Sequence, residues 1–291
     1  MSEWIRVNKV EPCKICQHGD WCCVTSDGTL ANCMRIESDR PCNNGGWLHK
    51  LDDSLDLPKR LPLKRRKPAA PAKDFSSLAE KYRKSITPSL IEALSKELGI
   101  SWESLKRQEV GWVESLRELV PDWRGSAYTY PMRSGCDEII GIQLRTPKGK
   151  KFSIPGSKLG LFWPRGVKAD SENLLFIPEG SSDPGALLDM KFDAIARPSC
   201  SGGAEFIKTL LDRHNRSVVI VADKDSPKTA PDGRKFNPGL DGADRLGKTI
   251  KPLCRSVRII KPCVGKDIRD WYNNGATAEA VLAVVKNTRF L

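Results

Sequence analysis

Six of the ten cysteines, Cys13, Cys16, Cys22, Cys23, Cys33 and Cys42, crowd into the first fifty residues. A unit that short buries too little apolar surface to fold without a staple. The opening run MSEWIRVNKVEPC lacks the apolar core of a signal peptide, so a reducing cytoplasmic setting is expected, where clustered thiols bind metal rather than pair as disulfides. Cys13 and Cys16 form a C-x2-C knuckle, the spacing at which one tight turn presents two thiolates to a tetrahedral ion. Downstream, WCCVTSDGTLANCM reads as a hairpin turning at Asp27-Gly28. Cys22 and Cys33 are equidistant from that turn and should face each other across the strands. The expectation is one structural zinc ion per chain on Cys13, Cys16, Cys22 and Cys33. Alternation sends Cys23 to the opposite face. Cys42, His18 and His49 stay open as alternative ligands, because a hairpin can slip by one residue and a histidine can complete a three-cysteine site.

The chain has 291 residues, which is room for two or three domains, and a formal charge of +12. Apolar residues at 39% and charged residues at 29% describe a globular protein, and no apolar run reaches the roughly 18 residues of a membrane helix. The cationic surplus points to a polyanionic partner, nucleic acid before membrane. We divide the sequence into a zinc-binding domain at 1–51, a basic Pro-rich linker at 52–73, a mixed α+β subdomain at 74–170 and an α/β domain at 171–291. The linker contains PKRLPLKRRKPAAPAK, with positive charge only. Leu78, Tyr82, Leu90, Leu94 and Leu98 have helical spacing, which predicts helices from Phe75 to about Glu118, with a start at Thr87-Pro88 and a stop at Gly99. From Ala127 to Gly166 the residues alternate between Gly and Pro turns as antiparallel strands do, with Arg133, Arg145, Lys150, Lys151 and Lys158 among them. Beyond Asn173 the runs LLFIP, FDAIA, SVVIVA and SVRII alternate with helical stretches, which predicts βαβ units and a small parallel sheet. The fold class is therefore multidomain α/β: a zinc ribbon, a linker, a mixed basic subdomain and a parallel-sheet domain.

Glu179 follows LLFIP, and Asp223 and Asp225 follow SVVIVA. Residues just past the carboxyl ends of parallel strands share the crevice where such folds bind ligands. Three carboxylates there repel one another unless cations neutralise them, and hard oxygen ligands select Mg²⁺ or Mn²⁺. Asp183, four residues after Glu179, and the pair Asp267 and Asp270 after SVRII extend the acidic set. The run GADRLGKT matches a phosphate-binding loop in spelling only. Polar FNPGLD precedes it and Leu240, Ala243, Leu246 and Ile250 share one helical face, so the segment is expected to be a helix on the sheet. Trp163 and Trp271 are expected in the core.

The runs PEGSSD, ADKD and GKDIRDW together resemble the Toprim domain shared by DnaG-type bacterial primases, phage primases, topoisomerases and some nucleases. The resemblance implies that Glu179, Asp223 and Asp225 hold catalytic Mg²⁺ or Mn²⁺. It matches Asp183 to the aspartate of E-G-x-x-D, and Asp267, with Asp270 at a shifted spacing, to the final acidic motif. The stretch YPMRSGCDEIIGIQLRTPKGKKFSIPGSKLGLF is similar to the basic part of the primase catalytic core that precedes Toprim. That implies nucleotide or template contacts at Arg145, Lys151 and Lys158, with Arg133 beside them. The order of zinc unit, basic subdomain and Toprim implies a DNA primase that joins ribonucleoside triphosphates into short primers on single-stranded DNA. The same likeness implies a monomer with no membrane association that works with a separate helicase, from a phage or other mobile element. The chain departs from the family in using four cysteines without a histidine, and in the insertion DKDSPKTAPDGRKFNPGLDGADRL after Asp-x-Asp. Two rivals remain at the level of sequence: a Toprim nuclease, and a non-catalytic module that binds zinc and single strands.

Overall fold

The computed structural model describes residues 3–42, 46–52, 74–115, 117, 124–212, 214–229 and 233–291. It divides into two compact units, Met1–Ala70 and Pro71–Leu291. Apart from Asp52, the basic linker expected from the sequence lies outside the described residues.

In the first unit, β1 (Trp4–Arg6), β2 (Cys23–Thr25), β3 (Leu30–Cys33) and β4 (Trp47–Lys50) form an antiparallel sheet in chain order. Cys23 pairs with Asn32 and Val24 with Ala31, so the register carries Cys22 opposite Cys33, as the symmetric hairpin requires. The Asp27 carboxylate accepts from the hydroxyls of Thr25 and Thr29 and from the Thr29 N–H, closing the turn. Among the described residues of this unit the hydrophobic cluster is Val7 with three cysteines, a core too small to hold the sheet together by burial alone.

The second unit begins with α1 (Phe75–Ser85), α2 (Pro88–Leu98) and α3 (Trp102–Arg107). Asp74, Thr87 and Ser101 cap their first turns, and Gly99 ends α2 in a left-handed conformation. Helical structure expected as far as Glu118 stops at Arg107. The β-branched and aromatic run Val110 to Val113 instead supplies β5 (Gly111–Val113), which pairs with β6 (Ala127–Arg133). Then β7 (Ile139–Arg145) and β8 (Lys151–Ser153) complete an antiparallel sheet. Alternation divides β7 by face: Ile142 and Leu144 pack under α1, while Gln143 and Arg145 point the other way. Lys151 is the cross-strand partner of Arg145 and shares its face.

Four parallel strands follow in the order β10, β9, β11, β14, comprising β9 (Leu175–Ile177), β10 (Asp193–Ala194), β11 (Ser217–Val221) and β14 (Ser256–Ile260). The helices are α4 (Asp183–Asp189), α5 (Ala204–Leu211), α6 (Pro238–Ile250), α7 (Ile268–Asn273) and α8 (Ala278–Asn287), and a small hairpin, β12 (Lys228–Thr229) with β13 (Lys235–Phe236), precedes α6. Ile177, Val218 and Ile220 pack against α5 and α6, whereas Phe176, Val219 and Val221 pack against α4, α7 and α8. Burial on both faces explains why these strands read as unbroken apolar runs. The run GADRLGKT lies wholly within α6, and Trp271 is buried. Because β10 lies on one side of β9 and β11 on the other, the chain reverses direction across the sheet between β9 and β11. That reversal opens a crevice at their carboxyl ends.

One carboxylate ties the two halves of this unit. Asp189, at the end of α4, accepts from the Ser101 N–H at 2.8 Å, the Ser101 hydroxyl at 2.5 Å and the Ser104 hydroxyl at 2.6 Å. Hydrogen bonds to a charged acceptor are worth more than neutral ones, so Asp189→Ala is expected to cost about 2–3 kcal/mol. In a unit of this size that lowers the melting temperature by roughly 5–10 °C, and an unchanged thermal transition contradicts the role.

Candidate functional site

In the first unit, one Sγ each from Cys13, Cys16, Cys22 and Cys33 lies within 4.8 Å of the others. The Cys16 and Cys22 sulfurs are 3.7 Å apart. Zn–S bonds of about 2.3 Å in a tetrahedron require sulfur separations of about 3.8 Å, so this donor set fits zinc. Around it, the N–H groups of Met34 and Ile36 point at the Cys22 and Cys33 sulfurs, and the Arg35 guanidinium lies 3.8 Å from Cys22 Sγ. These donors offset the negative charge of a four-thiolate centre. Cys23 and Cys42 stand outside the group, and His49 Nε2 lies 2.9 Å from the Ile36 carbonyl oxygen. None of the alternative ligands therefore displaces one of the four.

The second unit carries a polar cleft where the two sheets meet. Glu179 sits at the end of β9, held by the mutual backbone bonds of Gly180 N–H to the Arg197 carbonyl and Arg197 N–H to the Pro178 carbonyl. The chain can turn immediately after Glu179 because Gly180 adopts φ +82°, a conformation that side chains disfavour. Asp183 opens α4 and is almost fully buried. Asp223 leaves β11, and the next residue, Lys224, donates its N–H to the Lys266 carbonyl, which draws in the loop carrying Asp267. The cleft is lined by the acids Glu179, Asp183, Asp223 and Asp267, by Gln143, Arg145 and Lys151 from the antiparallel sheet, and by Lys266 and Arg269 next to Asp267. It has a volume of about 290 Å³.

Burial, followed by the charges of Glu179 and Asp267, pushes the Asp223 carboxyl up to about 7. Burial, followed by the charges of Asp267 and Asp223, holds Asp183 well above the usual carboxylate range. Burial also raises Glu179, against the opposing pull of Arg197. One oxygen on each of these three, Glu179 Oε2, Asp183 Oδ2 and Asp223 Oδ1, is buried without a hydrogen-bond donor. Orphaned oxygens and mutual repulsion among hard donors are what a divalent cation would relieve, so the residues present fit Mg²⁺ or Mn²⁺. An acid with a raised folded pKa keeps its proton while the unfolded chain loses one, so without divalent ions Asp223 makes stability fall as pH rises from about 4 to about 7, and Asp183 acts in the same direction. Thermal melts across that range should show the decline in EDTA and a shallower one in Mg²⁺; a rise with pH in EDTA contradicts it.

The structure thus brings Glu179, Asp183, Asp223, Asp267, Arg145 and Lys151 to one cleft. Asp225 lies beside it in an ion pair with Lys266 at 3.2 Å. Asp270 binds the turn instead, with its Oδ2 accepting from the Lys266 N–H, and Asp267 also caps α7. Arg133 is spent on Glu109 and Asp137, and Lys158 is an exposed residue away from the cleft lining. Crowding by protein atoms and the neighbouring Arg145 charge lower the Lys151 ammonium. Three further cations stand at the acids, and no local sequence pattern marks them. Lys266 and Arg269 sit inside GKDIRDW, interleaved with the acids. Arg197 is a charged residue closing the apolar run FDAIA, and its buried guanidinium lies 3.6 Å from Glu179 and donates to the Cys200 and Gly242 carbonyls.

No family model and no curated protein sequence matches the chain. Solved structures do. The chain is similar to the E. coli primase catalytic core at TM-score 0.55 and 20% identity, over 74% of this chain and 79% of that one. It is similar to a DnaG primase catalytic domain bound to single-stranded DNA at 0.55 and 18%, over 74% and 77%. A structure of the Aquifex aeolicus primase zinc-binding and RNA polymerase domains matches at 0.56 and 15%, over 74% and 60%. The fold is therefore that of primase catalytic cores: a mixed α/β unit, here accompanied by a four-cysteine antiparallel unit. Among the described residues no helix is long and apolar enough to cross a membrane.

Proposed function

We propose that this protein is a DNA primase, a nucleotidyltransferase that joins ribonucleoside triphosphates into short primers on single-stranded DNA. The observation that carries the reading is the cleft itself, where Glu179, Asp183 and Asp223 stand opposite Arg145 and Lys151 in the crevice of a fold shared with primase cores. In the reaction a 3′-hydroxyl oxygen bonds to the α-phosphorus of a nucleoside triphosphate, and the bond from that phosphorus to pyrophosphate breaks. Glu179, Asp223 and Asp225 would hold Mg²⁺ or Mn²⁺, which would lower the pKa of the attacking hydroxyl and stabilise the charge on the departing pyrophosphate. Arg145 and Lys151 neutralise the triphosphate from the facing sheet; Arg145 pairs with Glu97 at 2.5 Å, and its guanidinium turns the donors left over toward phosphate oxygens. Arg197 keeps Glu179 oriented from behind, and Lys266 does the same for Asp225. Asp183 and Asp267 line the same cleft beside these ligands. Lys158 is left for template phosphates outside the cleft, while Arg133 serves the fold through Glu109. The Toprim resemblance of PEGSSD, ADKD and GKDIRDW supports the assignment of roles, and the zinc unit supplies a separate element for choosing where synthesis begins.

The simplest test is the first bond. Incubated with single-stranded DNA, two labelled ribonucleotides and Mg²⁺, the full chain is expected to form a dinucleotide and release pyrophosphate. Shortened DNA in the absence of nucleotides would instead identify a nuclease, and salt-sensitive binding without either product would identify an accessory module.

A further inference from the structure

Between Asp225 and α6 the chain makes an excursion that the reaction above does not use. Its two strands, β12 and β13, pair Lys228 with Phe236 and Thr229 with Lys235. The base of this hairpin is tied to the acidic loop. The Asn237 side-chain amide donates to the Asp225 carbonyl at 2.8 Å while its Oδ1 caps α6 by accepting from the Leu240 N–H. Gly239 approaches so closely that a Cβ there would stand 2.3 Å from the Asp223 carbonyl oxygen, so no other residue fits without displacing that loop.

All four paired residues are exposed, including Phe236 at 38%. Between the hairpin and α6 runs an open groove of about 660 Å³, lined by Arg234, Lys235, Phe236, Asp241, Asp244 and Arg245. Its acids are already engaged, Asp241 with the Asn237 N–H at 3.1 Å and Asp244 with Lys248 at 2.7 Å. The groove therefore presents the Phe236 ring among Arg234, Lys235 and Arg245, and Lys228, the cross-strand partner of Phe236, shares the ring's face of the hairpin. A ligand that presents a flat ring and a phosphate at every repeat matches that combination, whereas an apolar protein surface would strand the charges. Reach fixes the place. Lys228 is three residues past Asp225, so their Cα atoms are at most about 11 Å apart. A stacked strand rises about 3.4 Å per nucleotide, which puts the start of the hairpin within about three nucleotides of Asp225.

We propose that the β12–β13 hairpin is a polynucleotide clamp beside the cleft. Lys228, Lys235 and Arg245 hold strand phosphates, and Phe236 stacks on a base. Its orientation toward a growing end rests on the nucleotidyltransferase reading, but its binding does not. The test is fluorescence anisotropy of the full chain with a labelled single-stranded DNA and with a labelled RNA–DNA hybrid, titrated over a range of salt without nucleotides. K228Q/K235Q is expected to weaken at least one probe about tenfold or more at low salt and to flatten its logarithmic salt slope by about 1.4–1.8. F236A should weaken the same probe about tenfold with the slope unchanged. Both variants should melt as wild type does. The probe that loses more identifies the strand held, template DNA or the hybrid. Unchanged affinity and slope for both probes overturn the clamp, as does a loss matched by a lower melting temperature. A chain that shows these losses yet joins no nucleotides keeps the clamp and rejects the catalytic reading.

Discussion

Asp223→Asn is expected to lose nucleotide joining by at least about a thousandfold, an effect of about 4 kcal/mol on the transition state, while the metal-free protein becomes more stable. Both effects come from one cause. Asp223 is 9% exposed, carries an oxygen with no donor, and faces Glu179 and Asp267. Its charge is costly to bury and worth keeping only if a cation meets it. The amide removes the repulsion and with it a ligand, so stability and activity move in opposite directions. A gain of about 1–3 kcal/mol, seen as a melting temperature several degrees higher in EDTA at pH 8, should accompany the lost activity. Single-stranded DNA should still bind within about twofold. An Asn variant that is inactive and also less stable would mean that Asp223 matters to the fold alone. One that is fully active would remove it from the site.

The second large effect belongs to the zinc unit. Structural zinc contributes about 10–16 kcal/mol of apparent folding energy in small domains at neutral pH, and here, among the described residues, the hydrophobic cluster is little more than the ligands themselves. Cys22→Ser, or exhaustive chelation, is therefore expected to unfold residues 3–52 outright. Burial pushes the Cys22 thiol up to about 12, so binding must release its proton, and chelation should be easier in acid. Fluorescence of Trp4, Trp21 and Trp47 and rapid proteolysis of this segment would report the change. The second unit, with separate cores, should keep its own melting transition. Metal analysis should return one zinc per wild-type chain and none in the variant. A Cys22→Ser protein that retains zinc and a protected first unit contradicts the ligand assignment, whereas Cys42→Ser should change neither.

Much of this architecture is legible in local pattern. The symmetric placement of Cys22 and Cys33 about Asp27-Gly28 specifies the register, because a two-residue turn leaves few others. The runs LLFIP, SVVIVA and SVRII announce strands buried on both faces. What local pattern does not carry is decided by partners distant in sequence. β5 is three residues long and follows three helices, so only its pairing with Ala127 to Thr129 reveals it. Arg133 resembles a phosphate ligand until Glu109, 24 residues away, is seen to hold it. Arg197 gains its meaning from Glu179 and Gly242, which only the crossover connections bring near. Lys266 and Arg269 lie within GKDIRDW beside Asp267 and Asp270, and only the fold turns them toward the cleft.

The most direct measurement of the central claim is the sequence of the product. Single-stranded templates of differing sequence are supplied to the full chain with all four ribonucleotides and Mg²⁺, and the products are sized and sequenced. Short oligoribonucleotides complementary to each template, absent with Asp223→Asn, are the expected result. Products that do not follow the template, or none from a chain whose zinc unit is loaded and whose affinity for the template is intact, would contradict the assignment.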